Sequence, residues 1–92
     1  MAHHELKCHP QFWQALVHGS KPFEVRRDDR KYRVGDLCTI REFDPAFGYV
    51  NRHYAVTYQV TFVLTHEDFP NGLQPGFVIL GFGLHPNMDD GK

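Results

Sequence analysis

Over residues 54–64 the chain alternates between two kinds of side chain. Val56, Tyr58, Val60, Phe62 and Leu64 have one parity, and Ala55, Thr57, Gln59 and Thr61 the other. That period of two is the signature of a β-strand with one buried face. Such a strand must find hydrogen-bonded neighbours and a cover for its apolar side. With 92 residues in all, the chain has room for one domain and few partner strands.

The partners are legible by the same period. In residues 22–27, Phe23 and Val25 oppose Glu24 and Arg26. The stretch Leu37 to Phe43 puts Cys38, Ile40 and Glu42 on one face and Leu37, Thr39, Arg41 and Phe43 on the other. Residues 77–82, Phe-Val-Ile-Leu-Gly-Phe, are continuously apolar and read as a strand covered on both faces. Residues 5–8 make a short first strand. Between it and the second, Pro10 opens a helix to about His18, with Phe12, Trp13, Leu16 and Val17 in one apolar stripe and Gly19 at the left-handed stop. Val34-Gly35-Asp36 reads as a tight turn. Asp44-Pro45, Phe47-Gly48 and the segment 67–76 read as loops. The expected architecture is α+β: about five strands curled into a small closed or half-closed barrel that hides its edges, with one helix between the first two strands.

An apolar fraction of 41% argues against intrinsic disorder, and two cysteines do not make a disulfide scaffold. No apolar run approaches a membrane span, and the first residues carry no apolar signal core. The expectation is a cytoplasmic protein, ordered over about 4–84, with a flexible tail at 85–92. The seven histidines form no H-x-x-x-H pattern, and no metal or other cofactor is implied.

Charge is unevenly distributed. The net charge is −1, yet residues 21–33 hold six of the ten Lys and Arg residues against Glu24, Asp28 and Asp29. A concentrated basic segment on a near-neutral protein attracts anions locally.

The string Gly19-Ser20-Lys21-Pro22-Phe23-Glu24-Val25-Arg26 resembles the G-x-K-x-x-E-x-R signature of the ASCH domains, a branch of the PUA-like superfamily. The surrounding blocks are similar to a narrower group of small bacterial and phage proteins of unassigned function. They are His4-Glu5-Leu6-Lys7, Pro10, Phe12, Asp29-Arg30, Tyr32, Val34-Gly35-Asp36, Arg41-Glu42-Phe43-Asp44 and Gly76 to Leu80. The resemblance covers about residues 4–83. It implies a PUA-like mixed β-barrel over a single domain, 1–92, and RNA or a modified nucleotide as ligand. It also implies a second reading, an amidohydrolase acting on acylated (deoxy)cytidine nucleosides. There Lys21 would be the base, with Glu24 or Glu42 handling protons. The chain departs from that enzyme pattern, because Glu24 stands where those relatives carry a threonine.

The residues themselves support a binding site at the barrel mouth. Glu24 and Arg26 share a strand face, where the carboxylate holds the planar guanidinium fork in place for a phosphate or a base edge. Glu42 ends an otherwise apolar row and needs a cationic partner, which Lys21, Lys7 or Arg26 would supply. Arg27 and Arg30 would touch phosphates from the rim. Tyr32, Phe47 and Tyr49 are candidates for stacking on an unpaired base. A third reading is an interaction protein of a phage or mobile element that blocks a host protein through the same basic surface.

Overall fold

The computed structural model describes residues 1–84; the tail expected at 85–92 lies outside them. The elements in chain order are β1 (His3–Cys8), α1 (Pro10–Val17), β2 (Phe23–Arg27), β3 (Leu37–Asp44), β4 (Gly48–Tyr49), β5 (Val56–Thr65) and β6 (Phe77–Leu84). They make a small, mostly β structure with one short helix, which lies between the first two strands as expected. Among the described residues no helix is long and apolar enough to cross a membrane.

The main path of the sheet runs β1-β3-β5-β6-β2, with β4 paired to the outer end of β3. β1 and β3 are parallel, in the register Leu6 to Ile40 and Cys8 to Glu42. The other pairings are antiparallel. β4 falls in the stretch expected to be a loop. Gly48, at φ +96°, reverses the chain so that Tyr49 comes opposite Phe43.

Alternation along β1 buries His4, Leu6 and Cys8 and exposes His3, Glu5 and Lys7. The inner faces of β3, β5 and β6 add Cys38, Ile40, Val56, Val60, Val78 and Leu80. Trp13 and Leu16 of α1 complete this core, and the Tyr58 hydroxyl ties the helix down through the Leu16 carbonyl at 3.0 Å. Phe12 belongs to the expected apolar stripe but stays 43% exposed.

On β5 the period of two fails partway. The pairing with β6 shifts register between Val60 and Phe62, so Thr61 is an extra residue and side chains beyond it change face. Val60 is 1% exposed and Phe62 is 60% exposed. Val63, opposite Leu80, takes over the inward position. The outer face of β2-β6-β5 therefore carries apolar side chains in rows, Phe23–Gly81–Phe62 and Val25–Ile79–Leu64. Residues of both parities on β6 are apolar, but over residues 77–83 only Val78 and Leu80 are fully buried, so among the described residues one of the two expected covers is absent.

The turn before β3 is pinned by one carboxylate. Asp36 accepts from the Ala2 N–H at 2.9 Å, from the Arg33 N–H at 3.0 Å and from His4 Nε2 at 2.9 Å. Burial alone would raise its pKa, but these bonds outweigh that and hold it below the ordinary carboxylate value.

β1 and β2 stand at opposite ends of the sheet path, and no backbone ladder joins them. Arginines span the seam instead. Arg26 Nη1 donates to the Lys7 carbonyl at 3.0 Å, and Arg30 Nη1 to the Glu5 carbonyl at 2.8 Å. Carbonyls two residues apart on a strand face the same edge, so these two side chains satisfy part of the free edge of β1.

Candidate functional site

The seam between β1 and β2 opens into a cleft of about 190 Å³, lined by Lys7, Cys8, His9, Phe12, Glu24, Val25 and Arg26. Its electrostatic centre is Glu24. This residue has inward parity on β2, opposite Leu80, and its side chain is only 11% exposed.

Two cations flank it. Lys21 Nζ lies 3.0 Å from Glu24 Oε2 and also donates to the Phe23 carbonyl at 2.8 Å. Arg26 Nη1 lies 4.0 Å from Glu24 Oε1 while it holds the Lys7 carbonyl. Lys21 reaches this place through the end of the helix. Gly19, at φ +82°, turns the chain back so that the Lys21 N–H donates to the Ala15 carbonyl at 3.0 Å. The Lys21 ammonium then sits 5.4 and 4.9 Å from the Phe12 and Phe23 ring centroids, which form an aromatic collar around the charge. The cluster of two cations and one carboxylate has a net charge of one positive unit.

Cys8 closes the inner wall. Burial pushes its thiol up to about 11; Glu24 and Glu42 push the same way, while Lys21 and Arg26 oppose them. Burial, with Asp36 nearby, also takes Cys38 to about 11. Both cysteines are thus protonated near neutral pH and poor nucleophiles. Among the described residues no cluster of three His, Cys, Asp or Glu is placed to hold a metal ion.

The structure brings Lys21, Glu24 and Arg26 into contact and sets Lys7 at the lip, its ammonium 4.2 Å over the Phe43 ring. Glu42 lies opposite Cys8 in the parallel register, half-buried, and no ion pair joins it to Lys21, Lys7 or Arg26 among the described residues. Arg27 has the opposite parity from Arg26 and covers the Phe77 ring at 4.8 Å, away from the cleft. Arg30 stands across the seam on the Glu5 carbonyl.

Of the three aromatic residues expected near a ligand, Tyr32 is part of the core, 6% exposed and edge-on to His4 at 4.7 Å. The reason is the buried turn that follows it, which pulls the segment inward. Phe47 is 89% exposed, and Tyr49 packs edge-on against Phe43.

Sequence reasoning missed a second chamber of about 150 Å³ on the other side of the Arg26–Lys7 bridge, where Glu5, Arg41 and Tyr49 join Lys7, Arg26 and Arg30. Its one sequence signal is that Arg41 has outward parity on β3. Only the parallel register, which sets Arg41 beside Lys7, converts that parity into a place.

Among curated proteins, none matches the chain significantly. The model of a family described as a domain of unknown function (DUF3850) matches residues 3–82, from the first residue of β1 into β6, and the chain belongs to that family.

Proposed function

We propose that the β1–β2 cleft binds single-stranded or modified nucleic acid, with RNA as the ligand class, and that the protein is a binding module of PUA-like type. The observation that carries this reading is Glu24, held almost buried between Lys21 and Arg26 at the wall of an open cleft. Replacing a buried ion pair by apolar side chains is often neutral or stabilising, so stability alone is a weak reason to place a charged cluster there. A nucleobase edge presents both donors and acceptors. Glu24 accepts from an exocyclic amino group, and Lys21 and Arg26 donate to ring carbonyls or phosphate. Phe12 offers an apolar surface on which a base face can lie.

The resemblance of Gly19 to Arg26 to the ASCH signature supports the same ligand class. So does the basic segment 21–33, whose exposed arginines fit contacts to phosphate that add affinity without sequence choice.

The test is a titration of short single-stranded RNAs, with and without base modification, at several salt concentrations. Binding that weakens steeply with salt is expected, together with a loss of base preference in Glu24→Gln. If no RNA or DNA binds even at low salt, the reading fails.

A further inference from the structure

The chamber beyond the Arg26–Lys7 bridge carries a different chemistry from the Glu24 cleft. Four cationic side chains, Lys7, Arg26, Arg30 and Arg41, line it against one carboxylate, Glu5. We infer that this chamber is a phosphate-binding site, which takes a phosphate monoester or diester group of the ligand.

Two observations point there. First, the arginines are held in place with most of their donors unspent. Arg26 and Arg30 each give one hydrogen bond to a β1 carbonyl, and Arg41 gives one to Glu5 Oε1 at 2.7 Å. A guanidinium has five donors, so each retains a fork for phosphate oxygens, already oriented by its protein bond.

Second, the Glu5 carboxylate stands in for the ligand. Its side chain is 65% exposed, and one of its oxygens accepts from Arg41. An exposed pair of this kind contributes little to stability, and the anionic oxygens of a phosphate group compete with it directly.

The two chambers share Lys7 and Arg26. A nucleotide that straddles the bridge sets its base at Glu24 and its phosphate at Arg30 and Arg41, with Tyr49 at the edge. This pairing rests on the proposed nucleic-acid reading; the phosphate site itself does not.

The test follows arginine side-chain N–H resonances by NMR as inorganic phosphate replaces chloride at constant ionic strength. Saturable shifts are expected in the native protein, about tenfold weaker binding in Arg41→Gln, and severalfold tighter binding in Glu5→Gln. Both variants sit at exposed or half-exposed positions, so the fold survives them. Absent saturation, equal affinity in Arg41→Gln, or unchanged or weaker binding in Glu5→Gln overturns the inference. Parallel titrations with a nucleoside 5′-monophosphate and a short RNA separate a free nucleotide from a polymer backbone as the source of the group. If phosphate binds and neither nucleic-acid probe does, the chamber stands and the nucleic-acid reading falls. If RNA binds equally well to Arg41→Gln and the native protein, the reverse holds.

Discussion

Arg26 donates from Nη1 to the Lys7 carbonyl at 3.0 Å, and this one contact both bridges the open seam of the sheet and separates its two chambers. The same guanidinium is a cationic neighbour of Glu24. A backbone ladder here would have zipped β1 to β2 and left no space between them. Side-chain bridges hold the strands near each other and keep the gap open to solvent, so the structural and the binding roles of Arg26 are inseparable.

Arg26→Ala removes the bridge and leaves a strand-edge carbonyl without its protein partner. A loss of about 1 kcal/mol is expected, the net worth of a hydrogen bond whose carbonyl water can reach once the side chain is gone. Urea unfolding checks it. Arg26→Lys retains the charge with a single point of donation, so it should recover part of the stability and little of any ligand affinity. Full recovery of both by lysine would show that the planar fork does not matter.

Lys21 and Glu24 make a partly buried pair, with side chains 19% and 11% exposed. Lys21→Met leaves the carboxylate with only the more distant Arg26, at a cost of about 1–3 kcal/mol, between the values for exposed and fully buried pairs. Glu24→Gln in the same chain should return part of that loss, because the uncompensated charge is then gone. A double-mutant cycle by chemical denaturation measures the coupling; additive losses would mean that the two side chains do not act together.

The pinned turn makes stability depend on pH. The Asp36 pKa is held below its ordinary value, so the unfolded chain takes up this proton at a higher pH than the folded one. The stabilisation is therefore fully present above the unfolded carboxylate pKa of about 4 and is lost as the pH falls through the lower folded value. Unfolding midpoints measured from neutral pH down to about pH 3 should drop, and drop less in Asp36→Asn. That variant should also be less stable at neutral pH by about 1–3 kcal/mol, since an amide cannot accept from all three donors. Parallel pH profiles for the two proteins would assign the acid sensitivity to other carboxylates.

Local patterns in the sequence carry most of the fold. Pro10 and Gly19 bracket a helix at Pro10–Val17, and period two locates the strands to within a few residues. The parity of Glu24 and Arg26 and the turn at Gly19 place three side chains of the candidate cleft together. Relationships set by distant pairings are not legible in the same way. Arg41 meets Glu5 because β1 and β3 are parallel in one particular register. Tyr32 is drawn into the core by a turn whose carboxylate is bonded to residues 2 and 4. Tyr49 pairs with Phe43 through a two-residue strand that is too short to have a period. Glu42 has the inward parity expected of it, but parity alone does not bring a partner.

Thr61 separates two valid uses of the alternation rule. Strict period two gives Val60 and Phe62 the same environment, whereas the register shift buries the first and exposes the second. The same substitution at both positions distinguishes the cases. Val60→Thr keeps the shape and buries a hydroxyl among apolar neighbours, which costs about 1–3 kcal/mol. Phe62→Thr places a good strand former on the outer face and should change stability by no more than about 1 kcal/mol. It should also improve solubility, because it interrupts the apolar row Phe23–Gly81–Phe62. Denaturant midpoints for the two variants give the comparison. Equal losses would place both side chains in the core, and the irregularity at Thr61 would then be absent in solution.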